Sequence, residues 1–310
     1  MKSLTSVALL LVLLLSTGIA QQTKEKKDEK QPAPLAVKLN VTVIDSTGHQ
    51  VNNLTQNQFR VFEDDVPQTL SLFQKKEGPV NYVLAVDTSG SMRAQLSKVV
   101  DTTRLVIANT PADGKVLLLR FISSDKIETV TDFTSDPAPL TRGLNDLYVE
   151  GGESAIVDAV YLANEKIEKF TKDRVNVRRS LVLITDGEER NSFYKKAQLF
   201  VRLKETGIQV FIVGFIKELS KREREKAVNF LNGLAVETGG HVFYPVSSTD
   251  FQSVATEIMS EMRAPYVLGY DSANPARDGS WRKVRIEIVN QPADVKLTAV
   301  ARAGYVAPKN

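Results

Sequence analysis

The chain of 310 residues contains no cysteine, and this absence narrows its chemistry. Without thiols there is no disulfide framework, no thiolate nucleophile and no cysteine-linked lipid. Histidine is scarce as well, since the chain has two, and they fall in different predicted domains. The sequence also lacks the GxSxG, GxxxxGK[ST] and HExxH motifs. These absences argue against a serine–histidine hydrolase and a zinc protease.

A large excess of charge is also lacking, because 40 Lys and Arg residues face 37 Asp and Glu residues and leave a formal net charge of +3. This balance argues against nucleic acid as a partner. Long apolar runs are confined to the first 20 residues, which carry one lysine and end in the small residues Gly18 and Ala20. The pattern predicts a signal peptide cleaved after Ala20, and an uncleaved N-terminal anchor is the alternative.

Export and the absence of cysteine together favour a bacterial envelope protein, since disulfides are common in secreted animal domains. We expect the mature chain to have no transmembrane segment and to reside in the periplasm, the cell envelope or the extracellular space. Residues 21–34 mix charges of both signs and end in two prolines, a composition typical of a flexible linker.

The two flanks of the remaining chain show the alternating hydrophobicity of β-strands. Residues 35–77 alternate in this way, and they are too few to support a core alone. Alternation returns in residues 264–308. We therefore expect the N-terminal and C-terminal flanks to pack together as one small β-sandwich-like unit.

Residues 81–263 between the flanks have a different pattern. Continuous apolar runs alternate with segments of helical periodicity such as Lys221–Thr238. The four runs are Tyr82–Val86, Val116–Ile122, Leu181–Ile184 and Val210–Phe215. Strands buried on both faces and separated by helices are typical of a doubly wound, mainly parallel sheet flanked by helices, which is an α/β fold. The alternating segment Lys126–Phe133 is predicted to be an antiparallel strand at the edge of this sheet.

Oxygen-bearing side chains follow the predicted strands at one edge of the sheet. The stretch VDTSGSM places Asp87, Ser89 and Ser91 after the first strand, and ITDG places Asp186 after the third. Between them, GGESAIVDA sets Ser154 at the start of a helix. Ligands of doubly wound sheets bind beyond the carboxyl ends of the strands, so we expect the five side chains to meet. Two carboxylates and three hydroxyls suit Mg²⁺, with Mn²⁺ or Ca²⁺ as alternatives, rather than zinc.

This set of motifs resembles the von Willebrand factor type A (VWA) domain with a metal-ion-dependent adhesion site. The five side chains match the family's motifs in order, with D-x-S-x-S at Asp87, Ser89 and Ser91, the threonine position at Ser154 and the later aspartate at Asp186. Serine keeps the hydroxyl of that threonine but lacks the methyl group that restricts its rotamer. The flanking stretches YVLGY and WRKVRI are similar to those of secreted bacterial VWFA-related proteins, often called acidobacterial.

The resemblance implies a binding or adhesion protein, not an enzyme. In this family the Asp or Glu carboxylate of a protein partner completes the shell of the metal. One alternative is a structural envelope scaffold whose metal only orders loops. The other is a metal-dependent phosphoryl-transfer enzyme, although the sequence contains no evident catalytic base or phosphate cradle.

Four further residues carry weaker predictions. Glu188 and Glu189 are candidates for the rim of the site, but acidic residues near a helix start are favoured by the helix dipole alone. Asp158 is expected to bond neighbouring backbone or water in a structural role, and Trp281 is expected in the core. Finally, Asp87 is expected at the surface end of its strand.

Overall fold

The computed structural model describes residues 35–47, 49–174, 177–290 and 296–309. The predicted signal peptide and linker, in residues 1–34, lie outside them. The described residues form one six-stranded sheet and two four-stranded sheets, with six α-helices. In the part of the chain that is described, no helix is both long and apolar enough to cross a bilayer.

The strands are β1 Ala36–Ile44, β2 Phe59–Glu63, β3 Val66–Gln68, β4 Leu70–Lys75, β5 Val80–Asp87, β6 Lys115–Ser123, β7 Lys126–Thr134, β8 Arg178–Thr185, β9 Gln209–Gly214, β10 Val242–Phe243, β11 Tyr266–Asp271, β12 Trp281–Ile288, β13 Thr298–Val300 and β14 Gly304–Val306. The helices are α1 Leu96–Ala108, α2 Pro137–Asn145, α3 Ile156–Thr171, α4 Lys196–Thr206, α5 Lys221–Thr238 and α6 Ser248–Met262.

The six-stranded sheet has the order β10-β9-β8-β5-β6-β7. Its strands are parallel except for β7, which pairs antiparallel with β6 at the edge as the sequence predicts. Every residue of β5 and β9 is buried, because helices cover both faces. Helices α1, α2 and α6 pack on one face and α3, α4 and α5 on the other. The predicted doubly wound α/β fold is therefore confirmed.

The two four-stranded sheets combine strands from both flanks of the chain. Their orders are β13-β1-β11-β4 and β14-β12-β2-β3, and all pairings are antiparallel. Side chains of both sheets share one hydrophobic core, in which Leu39 and Tyr266 pack with Val61 and Val284. Val236 of α5 joins this core from the α/β layer. The predicted sandwich-like unit of the two flanks thus forms part of the fold.

Three local features differ from the sequence prediction. Helix α2 was not expected, although Asp136 caps it by accepting a hydrogen bond from the Ala138 amide at 2.9 Å. The sequence predicts a helix over Arg93–Asn109, but residues 90–95 form a 3₁₀ turn and α1 begins at Leu96. The prediction that Trp281 lies in the core is wrong, because the side chain is 56% exposed.

Candidate metal centre

The candidate site lies where β5 and β8 end. These strands are parallel neighbours, with Val86 opposite Ile184, so Asp87 and Asp186 emerge at the same edge of the sheet. The order in which strands are added to the sheet also reverses here, because β6 and β7 lie on one side of β5 whereas β8, β9 and β10 lie on the other. Such a reversal is the usual ligand position of a doubly wound sheet. The loop before α3 reaches the same edge, since the Glu150 amide donates to the Thr88 carbonyl at 3.1 Å.

The carboxylate of Asp87 connects its own loop to the loop before α3 and to the end of β8. Its Oδ1 accepts a hydrogen bond from the Ser89 amide at 3.0 Å. Its Oδ2 accepts from Ser154 Oγ at 3.0 Å and from Thr185 Oγ1 at 2.7 Å. Asp87 is fully buried, so its expected position at the surface is wrong. Thr185, which the sequence analysis did not single out, is the donor closest to this carboxylate.

Asp186 contributes a second buried carboxylate. Its Oδ1 accepts from the Glu188 amide at 3.0 Å, whereas its Oδ2 is buried and has no hydrogen-bond partner among the described residues. A buried, unpaired carboxylate oxygen is costly unless a cation or donor reaches it. Burial, together with the neighbouring Asp186 carboxylate, raises the pKa of Asp87 above its ordinary value. A divalent cation at this edge would relieve both effects, so the residues fit the expected ion.

The hydroxyl groups complete a set of oxygen donors. Ser89 is buried and its Oγ lies 3.3 Å from Ser91 Oγ, which is on an exposed residue. Ser154 is buried beside Asp87. No three His, Cys, Asp or Glu side chains cluster as metal ligands anywhere in the described residues. A metal here would therefore depend on two carboxylates with neutral oxygen ligands, a set that suits Mg²⁺, Mn²⁺ or Ca²⁺.

The two rim candidates occupy different environments. Glu188 forms an ion pair with Arg190 at 2.6 Å, close to the candidate site in sequence. Glu189 instead accepts from the Val157 amide at 2.9 Å and from the Ser192 amide at 3.2 Å. Its carboxylate thus caps the N-terminus of α3, where a negative charge is stabilised by the helix dipole.

Asp158 fixes the loop that follows Asp186. It accepts hydrogen bonds from the Phe193 amide at 2.7 Å and the Tyr194 amide at 2.8 Å, as its expected structural role requires. The same loop is tied to the site by the Arg190 amide, which donates to the Ser154 carbonyl at 2.9 Å. These bonds tie the loop after Asp186 to α3 and to Ser154.

A groove of about 950 Å³ borders the candidate site. It is lined by Gly187 and Glu188 at the sheet edge and by residues of α4 and α5, including Phe200, Phe230 and Gly233. Its lining combines apolar side chains such as Phe230 with charged side chains such as Glu188 and Arg190.

The doubly wound sheet, with polar side chains gathered where the strand order reverses, defines an α/β domain of the ligand-binding class. The model of the von Willebrand factor type A domain matches residues 81–257, which is more than half of the chain, and the chain belongs to this family. Membership of this family supports a role in protein interaction, and the predicted resemblance to the VWA domain is confirmed.

Two solved structures are similar to the α/β part of the chain. One is the conserved hypothetical protein BatB from Bacteroides thetaiotaomicron, at 19% identity and a TM-score of 0.47. The other is an aerotolerance-related membrane protein from Bacteroides fragilis NCTC 9343 with multiple mutations to serine, at 24% identity and a TM-score of 0.47. Each alignment covers 59% of this chain and 98% of the other. No curated protein matches the chain.

Proposed function

We propose that this protein is a binding protein, not an enzyme, and that it recognises a protein partner through a divalent cation. The proposed ligands are Asp87, Ser89, Ser91, Ser154 and Asp186. Mg²⁺ is the preferred ion, with Mn²⁺ or Ca²⁺ as alternatives, and an Asp or Glu of the partner supplies a further ligand. Export to the periplasm, the envelope or the extracellular space is part of the proposal and rests on the N-terminal sequence.

The observation that carries the proposal is the buried Oδ2 of Asp186, which has no hydrogen-bond partner among the described residues. The Asp186 carboxylate also raises the pKa of the neighbouring Asp87, in addition to the effect of burial. Two buried carboxylates repel one another, and no basic side chain within the described residues forms an ion pair with either. A divalent cation supplies the missing positive charge. Because the serine ligands are neutral, such an ion keeps an affinity for one more carboxylate.

The choice of variant follows from the hydrogen bonds. Asp87 joins its own loop to the loop before α3 and to the end of β8, so its replacement would disturb the fold as well as the metal. Asp186→Asn is cleaner, because the amide oxygen still accepts from the Glu188 amide while the negative charge is lost. The matched control is Asp101→Asn, which makes the same chemical change at an exposed residue whose ion-pair partner is Arg104.

Calorimetric titration with Mg²⁺ tests the metal. Asp186→Asn should bind the ion at least about ten-fold more weakly than the wild type, since one of two charged ligands is gone. Asp101→Asn should bind it with unchanged affinity. Equal affinity of Asp186→Asn and the wild type would exclude Asp186 as a ligand.

Partner capture from an envelope extract tests the binding role. The wild type should retain its partner in Mg²⁺ and lose it in chelator, and Asp186→Asn should lose it in both. Linkage requires that the partner strengthens metal binding by the factor by which the metal strengthens partner binding. Equal capture with and without chelator would contradict the proposal and favour a scaffold that holds its partner elsewhere.

A further inference from the structure

A cationic cluster lies at the opposite, amino end of the central sheet. It consists of Lys75, Lys76, Arg178, Arg179 and Arg263, and it lies where β5 begins at Val80 and β8 begins at Arg178. Two adjoining cavities of about 300 and 290 Å³ share the wall formed by Lys75, Lys76 and Arg178. Arg179 lines the first cavity and Arg263 the second.

The positive charge of this cluster is only partly compensated by nearby carboxylates. Each cavity is lined by four cationic side chains, and Glu77 is the acidic residue in the lining of each. Among the described residues, no carboxylate lies within ion-pair distance of any of the five cations. Arginines elsewhere in the fold do pair, as Arg282 does with Asp278 at 3.3 Å. The cluster therefore has a surplus of positive charge next to open space.

The titration of the basic groups reflects this surplus. Burial lowers the pKa of Lys76 to about 8, and repulsion by Arg178 and Lys38 adds to the effect. The pKa of Arg178 is lowered by burial and then by Arg263. The attraction of Arg178 to Glu77 and to Asp113 opposes these effects, and the pKa of Arg178 remains lowered.

Neutral groups hold the central cations in place. Arg178 donates to the carbonyl of Lys76, to that of Met262 at 3.4 Å and to that of Ala264 at 3.2 Å. Lys76 Nζ donates to Gln209 Oε1 at 3.2 Å. These bonds connect the two segments that join the sandwich to the α/β layer, and they leave the charge in place because every acceptor is neutral. The Nε of Arg178 is buried and has no acceptor among the described residues.

We propose that this cluster binds a phosphate group, either as a phosphomonoester or as part of a pyrophosphate. Four cations against one carboxylate call for a ligand with at least two negative charges. A phosphate monoester carries about −1.5 to −2 charges at pH 7 and three strong acceptor oxygens, whereas a carboxylate carries one charge. Arginine is also suited to oxyanions, because its planar fork donates two parallel hydrogen bonds. Arg179 and Arg263 supply such groups here, since both terminal nitrogens of Arg178 already donate to carbonyls. The site is separate from the metal edge, at the other end of the same strands.

Isothermal titration with pyrophosphate, at fixed ionic strength, tests the site. Lys75→Glu changes an exposed residue of the shared wall and should weaken binding about ten-fold or more, as expected for loss of a charge-assisted hydrogen bond. Arg179→Glu and Arg263→Glu should also weaken it. The matched control is Lys283→Glu, an exposed lysine of β12 that lines neither cavity, and it should change the affinity less than about two-fold.

Two outcomes would overturn the proposal. One is the absence of saturable pyrophosphate binding by the wild type, and the other is an equal loss in Lys75→Glu and Lys283→Glu, which would indicate only a general charge effect. Lys75→Gln and thermal unfolding of each variant are further controls, because they show whether a loss of pyrophosphate binding is caused by misfolding. Asp186→Asn should bind pyrophosphate like the wild type, so the failure of the metal proposal and the failure of this one are distinguishable.

A second assay distinguishes a lipid headgroup from a soluble compound as the source of the phosphate. Vesicles that contain phosphatidic acid present a phosphomonoester at a lipid surface, and vesicles of phosphatidylcholine alone lack it. Sedimentation of the wild type, but not of Lys75→Glu, with the phosphatidic acid vesicles would assign a lipid headgroup. Pyrophosphate binding without sedimentation would assign a soluble phosphate. Failure of both assays would refute the site.

Discussion

Replacement of Thr185 by valine tests whether the end of strand β8 orders the candidate metal site. Thr185 is fully buried, and its hydroxyl donates to Asp87 Oδ2 at 2.7 Å and accepts from the Gly187 amide at 3.1 Å. Valine keeps the branched shape but has no hydroxyl, so Thr185→Val breaks both bonds with little change in volume.

The expected loss of stability follows from these two bonds. A hydrogen bond to a charged group contributes about 1.5–3 kcal/mol, and an amide left unsatisfied in a buried position costs about 1–3 kcal/mol. Gly187 is buried, so its amide has no ready access to water. Asp87 keeps its hydrogen bonds from Ser89 and Ser154. We therefore expect a total loss of stability in the lower half of the range that the two contributions give together. We expect Thr185→Val to lower the free energy of unfolding by about 2.5–4 kcal/mol.

Urea unfolding in the presence of chelator measures this loss without a contribution from bound metal. Thr185→Ser is the matched control, because it retains the hydroxyl and removes one buried methyl group, a loss of about 1 kcal/mol. A Thr185→Val protein no less stable than Thr185→Ser would refute the argument that the hydroxyl holds Asp87. In Mg²⁺ titrations the valine variant should also bind the ion more weakly than the serine variant, since Asp87 is less well oriented.

The central sheet could be predicted from the sequence because its strands are buried on both faces. A run such as Tyr82–Val86 has no polar residue to interrupt it, and a run of this kind alternating with helical segments fits few folds. Helix α5 was predicted with its observed bounds, since local signals mark both ends. Ser220 and Glu223 form a capping box at its start, and Gly239 adopts a φ of +75° just after its end.

The missing parts of the prediction depend on contacts between distant residues. Thr185 meets Asp87 across neighbouring strands, 98 positions away in sequence, and nothing local distinguishes it from any strand residue. The burial of Asp87 follows from the same contacts. Helix α2 was missed because its prolines indicate a loop, although Pro at the first helical turn after an Asp cap is a helix-start signal.

The exposed position of Trp281 is set by the alternation of side chains along β12 and not by the hydrophobicity of tryptophan. Residues two apart on a strand share a face, so the buried Val284 places Arg282 inside and Trp281 outside. Arg282 is only 5% exposed, donates to the carbonyl of Ala276 at 3.2 Å and forms an ion pair with Asp278 at 3.3 Å. The alternation from Val284 to Ile288 therefore contained the signal, and extending it by three residues toward the start of the strand would have placed the tryptophan correctly.

Two further substitutions test the sandwich and helix α5. Glu63 is buried and accepts from Tyr270 Oη at 2.8 Å and Tyr305 Oη at 2.7 Å, so Glu63→Gln should lower the free energy of unfolding by about 2–3 kcal/mol in urea. Tyr305→Phe should cause little further loss of stability in a protein that already carries Glu63→Gln. Unchanged stability of Glu63→Gln itself would mean that the charge of Glu63 does not hold the two flanks together. Gly233 lies within α5, and a Cβ built there meets no atom within 4 Å. Gly233→Ala should therefore stabilise the protein by about 0.5–1 kcal/mol, because alanine loses less backbone entropy in a helix. A lower melting temperature for this variant would show that the groove side of α5 is not open, since the added methyl group would then have to meet a neighbour.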